Sequence, residues 1–194
     1  EQSFKKRNKI RIMMKVFDKI IPDYLQNFIY DLITSKIKDN PYPLHYMDSL
    51  TSKDSKDEIG FGHDFFQDRR IVNIGDSLLT PLFLFLTSQQ LILKELIQSR
   101  LYLQVPNFKQ SKPKILKPHK DLPWDHFSMI YYVTDTDGDT YFYNDKEGKN
   151  IINQVSPKKG RIAFFNGNTF HSGSNTTQNL RIILNYNFLI WNTK

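Results

Sequence analysis

Phe127-Ser128-Met129-Ile130-Tyr131-Tyr132-Val133-Thr134-Asp135-Thr136-Asp137-Gly138-Asp139-Thr140-Tyr141-Phe142-Tyr143 is the stretch that decides the fold. Its two ends are dense in aromatic and β-branched residues, which suit a pleated, half-buried surface. Between them, Asp135-Thr136-Asp137-Gly138 offers turn-forming side chains and a glycine. The same alternation of strand and turn continues downstream. Residues 161–165 and 180–188 read as further strands, and Asp145-Lys146-Glu147-Gly148, Pro157-Lys158-Lys159-Gly160 and Asn166-Gly167-Asn168 read as turns. Upstream, residues 97–105 alternate apolar and polar, another strand signature.

The N-terminal part follows a different period. Pro22 suits a first helical position, and Leu25, Phe28, Ile29, Leu32 and Ile33 recur at helical spacing. That helix is expected to fade by Lys38-Asp39-Asn40, ahead of Pro41 and Pro43. A second helical region starts at Asp76-Ser77 or Thr80-Pro81 and runs through Leu86, apolar on so broad a face that it must be packed on both sides. Residues 44–47 read as extended and the polar residues 51–60 as a mobile loop. Helices first and short strands afterwards predict a mainly β chain with N-terminal helices (α+β), closed as a double-stranded β-helix, the cupin-like jelly roll.

Composition narrows the chemistry. The 194 residues are 39% hydrophobic and 14% aromatic, a globular composition sufficient for one core. Cysteine is absent, which excludes disulfides, thiolate zinc sites, iron–sulfur clusters and cysteine nucleophiles. A metal must then be held by carboxylates and by the five histidines His45, His63, His119, His126 and His171. No apolar run approaches the roughly 20 residues of a membrane helix, and no signal-peptide core opens the chain. A cytoplasmic protein without a membrane partner is the expectation. The formal net charge of +7 is concentrated at the start: residues 1–12 carry five basic side chains against Glu1. With Met13-Met14 reading as a natural start, residues 1–12 are expected to be a leader or disordered segment ahead of a single domain over 13–194. The charge is then weak support for a nucleic-acid partner.

His119-Lys120-Asp121 carries the chemistry. In an extended segment, residues two apart share a face, so an imidazole and a carboxylate project side by side. A third ligand from His171, at the start of a later strand, would give two His and one carboxylate on one face of an octahedron. Three adjacent positions stay open, the arrangement suited to iron(II), a bidentate 2-oxo acid and dioxygen. Arg181 opens a strand that reads as buried, where a guanidinium is costly unless paired. A carboxylate is its matching bidentate partner.

Taken in order, His119-Lys120-Asp121, Ile130-Tyr131-Tyr132-Val133-Thr134-Asp135, Asp137-Gly138-Asp139-Thr140-Tyr141-Phe142, Pro157-Lys158-Lys159-Gly160-Arg161, His171 and Arg181 resemble the prolyl 4-hydroxylase-like branch of the iron(II)/2-oxoglutarate oxygenases. The likeness spans roughly residues 117–188, and the sequence resembles in particular the short single-domain members found in marine bacterial viruses. Ile20-Ile21-Pro22-Asp23-Tyr24-Leu25 also resembles the family's opening segment. The resemblance implies iron on His119, Asp121 and His171, and the C5 carboxylate of 2-oxoglutarate on Arg181. It implies a hydroxyl near that carboxylate from Tyr131, with Tyr132 as its neighbour, and Thr140 on the strand lining the cosubstrate pocket. By period two, Asn185 shares the face of Arg181. Dioxygen would be consumed and succinate and carbon dioxide released as a substrate C–H is hydroxylated.

Other residues have plainer readings. His126 has the wrong spacing to share the face of Asp121 and reads as a supporting or surface residue. His63, within Gly60-Phe61-Gly62-His63-Asp64, ranks below His119 as a ligand and could belong to a substrate lid. Trp124 is divided evenly between the substrate entrance and packing on the rim. Tyr141 and Tyr143 read as outer packing. For the substrate, a peptidyl residue such as proline leads on resemblance, with a free amino acid or small metabolite as the alternative. A nucleic-acid dealkylase is disfavoured because Asn187 stands where that branch carries a second arginine. A non-catalytic metal-binding β-barrel is the fourth reading.

Overall fold

The structure, a computed structural model, describes residues 14–34, 42–47, 60–67, 70–71 and 76–191. The chain runs β1 (Lys15–Phe17), α1 (Asp23–Ile33), β2 (His45–Met47), β3 (Gly60–Gln67), β4 (Arg70–Ile71), a 3-10 turn (Asp76–Leu79), α2 (Thr80–Ser88) and β5 (Leu93–Gln104). It continues through β6 (Phe127–Tyr132), β7 (Thr140–Tyr143), β8 (Ile151–Val155), β9 (Ile162–Asn166), β10 (Phe170–Gly173) and β11 (Arg181–Ile190). Among the described residues no helix is long and apolar enough to cross a membrane.

The strands form two antiparallel sheets. The large one has the order β1-β9-β6-β11-β5-β3-β2, with β4 paired to β3; the small one is β10-β7-β8. Period-two alternation gives the large sheet two buried faces. One face carries Leu101, Met129, Tyr131, Ile162, Leu184, Tyr186 and Phe188, packed with Ile29 and Ile33 of α1 and Leu82 and Phe85 of α2. The opposite face carries Ile130, Tyr132, Ala163, Phe165 and Ile183, packed with Phe142 and Val155 of the small sheet. Both faces being covered explains why β6, β9 and β11 are almost continuously apolar. A mainly β, two-sheet antiparallel architecture agrees with the jelly-roll expectation.

Helix α1 begins after Pro22, whose carbonyl accepts from the backbone N–H groups of Leu25 and Gln26. It stops at Ile33, where the Thr34 hydroxyl donates to the Tyr30 carbonyl at 2.8 Å. The expected fading over 38–40, the leader over 1–12 and the loop over 51–59 lie outside the described residues. His63 is not part of a lid: it sits within β3, paired with Leu101 of β5 and 2% exposed. A lid residue must swing free, whereas this one is held in a central ladder. Strands β1, β3, β4 and β8 were not expected, whereas β10 starts beside His171, where a strand start was expected.

Candidate functional site

The two histidines of the candidate centre are brought together by backbone pairing. His119 and His171 exchange both N–H···O=C bonds, at 2.9 and 3.0 Å, as an antiparallel bridge on the edge of β10. Directly opposed residues project to the same side, and the ring centroids are 4.7 Å apart. Each ring has its Nδ1 on a carbonyl two residues away: Lys117 at 3.4 Å from His119 and Thr169 at 3.1 Å from His171. An Nδ1–H donated to those carbonyls leaves the Nε2 lone pairs facing inward, the tautomer a metal needs. They lie 3.8 and 3.7 Å from Asp121 Oδ1.

The donor atoms of His119, Asp121 and His171 all fall within 4.8 Å of one another. Neighbouring ligands on an octahedral ion with bonds of about 2.1 Å are about 3 Å apart. Small side-chain rotations close that gap, so the set fits one divalent ion. The other Asp121 oxygen accepts from Ser128 Oγ at 3.2 Å, and the nearby Asn185 amide favours the charge on this carboxylate.

Electrostatics hold His119 neutral and Asp121 ionised, as a metal needs, and leave a proton competing for His171. Burial, helped by the neighbouring His171, lowers the His119 pKa to about 4. Burial opposes charge on Asp121, yet His171, His119 and Asn185 outweigh it and hold the carboxyl well below its usual range. Burial also opposes charge on His171, but the Asp121 carboxylate prevails and raises its pKa.

Arg181 lies at the far end of the same cavity, 5% exposed. Its Nε donates to the Gly138 carbonyl (2.7 Å), Nη2 to Thr140 Oγ1 (3.1 Å) and Nη1 to Gln104 Oε1 (3.4 Å). Among the described residues no carboxylate pairs with it, and burial pushes its pKa down. The fold makes room for it: a Cβ on Gly138 would sit 2.7 Å from Arg181 Cδ, and one on Gly173 would sit 3.2 Å from Nη2. A buried cation with spare N–H groups and only neutral partners fits a ligand carboxylate.

His119, Asp121, His171, Thr140, Asn185 and Arg181 line one cavity. Tyr131 does not. It pairs with Leu184 and Ile162, belongs to the helix-side core, and is fully buried there, its hydroxyl without a partner among the described residues. Adjacent strand residues face opposite ways, so Tyr132 holds the cavity side and donates to Thr140 Oγ1 at 2.8 Å. His126 is buried rather than superficial, its Nδ1 on the Trp124 carbonyl at 2.7 Å and its ring against Gly167. Trp124 is 54% exposed. The Tyr143 hydroxyl is buried against Ser172 Oγ at 2.9 Å. Sequence reasoning missed Tyr102, Gln104 and Ser128, although the polar side of the alternating 97–105 segment held the signal for the first two.

The sequence matches no family model and no curated protein. Solved structures do match. An oxidoreductase of the 2OG-Fe(II) oxygenase family from Burkholderia pseudomallei superposes with a TM-score of 0.65 at 16% identity, over 90% of this chain and 84% of that one. The viral collagen prolyl hydroxylase of Paramecium Bursaria Chlorella virus-1, solved as its 2OG complex, gives 0.56 at 16% identity, over 93% and 97%. The non-haem α-ketoglutarate-dependent epimerase of nogalamycin biosynthesis gives 0.63 at 12% identity, over 92% and 79%. The chain therefore has the fold of the iron(II)/2-oxoglutarate oxygenases.

Proposed function

We propose that this protein is an iron(II)- and 2-oxoglutarate-dependent dioxygenase that hydroxylates an unactivated C–H bond. The observation carrying the reading is the convergence of His119, Asp121 and His171 at one end of a cavity whose other end is the buried, carboxylate-free Arg181. The oxygenase fold supports it.

In this reading His119, Asp121 and His171 hold iron(II) through two Nε2 atoms and one carboxylate. Arg181 takes the distal carboxylate of 2-oxoglutarate, and Thr140 adds a hydroxyl donor. When bound, iron(II) and 2-oxoglutarate supply the oxidising power of dioxygen, with the cosubstrate consumed to succinate and carbon dioxide as a substrate C–H becomes C–OH. Ser128 and Asn185 keep the Asp121 carboxylate turned toward the histidines. The carbonyls of Lys117 and Thr169 keep both imidazoles in the ligating tautomer. Leu116, Ile130 and Ile183 give the same cavity an apolar lining. A peptidyl proline substrate follows from resemblance to prolyl hydroxylases. The epimerase superposes equally well, so fold alone does not choose a substrate.

The test is direct. Anaerobic addition of iron(II) and 2-oxoglutarate should produce the weak visible charge-transfer band of a chelated 2-oxo acid, and admitting air should release succinate. His171→Ala should lose both signals while remaining folded by circular dichroism. Absence of the band from the unmutated protein would leave a non-catalytic β module.

A further inference from the structure

The cavity face of β5 continues past the lining already described. Gln104, Tyr102, Arg100 and Gln98 follow one another at period two on that face. Gln104 meets Arg181 and Tyr102 lines the cavity, so Arg100 comes next, at the metal end. Arg100 pairs across the sheet with Asn185 of β11 on one side and Asp64 of β3 on the other. One rung of the sheet thus leads from Asp64 through Arg100 and Asn185 to the Asp121 carboxylate. Exposure rises in the same direction. Arg181 closes one end at 5% exposed, while the side chains of Arg100 and Asp64 are 31% and 38% exposed. Arg100, which feels the charge of Asp121, and its partner Asp64 thus stand on the more exposed side of the candidate centre.

The pair is held in place. Arg100 Nε donates to Asp64 Oδ1 at 2.8 Å, and Nη1 lies 3.4 Å from the Tyr102 hydroxyl oxygen. The Gln98 carboxamide, with its oxygen turned to the guanidinium, accepts from Nη2 at 2.5 Å and Nε at 2.8 Å. A guanidinium has five N–H donors, so hydrogens on Nη1 and Nη2 remain for a ligand. A part-exposed ion pair adds little to stability. Two opposite charges fixed beside a reaction centre suit recognition instead.

Resting on the oxygenase reading, we infer that the substrate is a free α-amino acid, its carboxylate taken by Arg100 and its ammonium by Asp64. A simple carboxylate approaching Arg100 is repelled by Asp64, and a simple amine approaching Asp64 is repelled by Arg100. A peptide backbone carries neither charge. An α-amino acid carries both, a few ångströms apart, and matches the two side chains together. Arg100 and Asp64 are then specificity-determining residues, and the substrate side chain is directed toward the metal donors.

The experiment uses the protein loaded anaerobically with iron(II) and 2-oxoglutarate, and reads displacement of its charge-transfer band. The probes are the twenty L-amino acids singly, the N-acetyl and amide derivatives of whichever binds, and an end-blocked proline-rich peptide. The expected result is a band shift with at least one free amino acid and at least about tenfold weaker binding of both derivatives, the scale of one charge-assisted contact. Arg100→Gln should abolish the preference for the free acid over its amide, and Asp64→Asn the preference for the free amine over its N-acetyl form. The derivative series on the unmutated protein keeps the test decisive if either variant fails to fold. A band that forms but responds only to the blocked peptide, or to no amino acid, overturns this inference and leaves the oxygenase reading standing. No band at all overturns both.

Discussion

Thr140 has an oxygen that two donors already claim. The Tyr132 hydroxyl (2.8 Å) and Arg181 Nη2 (3.1 Å) both donate to Oγ1, which directs the hydrogen of Thr140 away from them, toward the cavity it lines. This side chain therefore both fixes Arg181 and presents a donor of its own. Thr140→Val keeps the shape, removes the donor and leaves two buried N–H and O–H groups without an acceptor. At about 1–3 kcal/mol for an interaction with a charged group, KM for 2-oxoglutarate should rise about tenfold or more. Succinate release against cosubstrate concentration measures it, and an unchanged KM would reduce Thr140 to packing. Arg181→Ala removes the charge outright. Its turnover should fall at ordinary cosubstrate concentrations and return in part when 2-oxoglutarate is raised, because the metal donors are untouched.

At the scale of elements, α1 is pinned to the large sheet by a close approach to the turn before β9. Gly160 has φ +81°, and a Cβ there would lie 2.5 Å from the Gln26 carboxamide. Gln26 is itself buried in α1 and donates to the Ile21 carbonyl at 2.7 Å. Gly160→Ala should cost about 1–2 kcal/mol for the left-handed backbone alone, and displacement of Gln26 adds to it. The melting temperature should drop by on the order of 5 °C; no change would mean that α1 contributes little to global stability. The elements differ in how readable they are. Strands β6, β9 and β11 stand out because both faces of the large sheet are covered and their residues are mostly apolar or aromatic, and β7 of the small sheet stands out by its aromatic residues. Strand β10, Phe170–Gly173, has four residues and one large apolar side chain, and exists through pairing with β7. Strand β8 is largely exposed, so no hydrophobic pattern marks it. Tyr131 and Tyr132 are indistinguishable by composition. Which one faces the cavity follows from the register Ile130↔Asn185 with β11, a contact between residues far apart in the chain. The grouping of His119, Asp121 and His171 was legible in part: the His-x-Asp spacing needs only local extended backbone, whereas His171 joins it through the long-range bridge to His119. The polar face of β5 was not, because alternation marks a strand without saying whether its polar side meets water or a cavity.

The whole molecule should respond to acid through its buried histidines. Burial lowers the pKa of His63, on the helix side of the large sheet, and of His126, against Gly167. It lowers His119 to about 4. Each is neutral in the native state and takes up a proton on unfolding once the pH is below about 6.5. The stability they lend is thus complete above that pH and is lost as the pH falls through each folded value, about 4 for His119. His171 acts in the opposite sense. Its raised pKa gives stability below about 6.5 that is lost as the pH rises through the folded value. Three groups against one leave a net loss on acidification. The depressed carboxyls of Asp137, at about 2, and Asp18 add theirs only below about 3.8. The urea midpoint of metal-free protein should therefore fall as the pH drops from about 6.5 to about 4.5. With a divalent ion bound, protons compete for both imidazoles, so the loaded protein should start higher and fall more steeply, the two curves converging near pH 4.5. A midpoint that rises on acidification would mean that His171 alone governs the balance, and parallel curves would mean that the ion is held elsewhere than at His119 and His171.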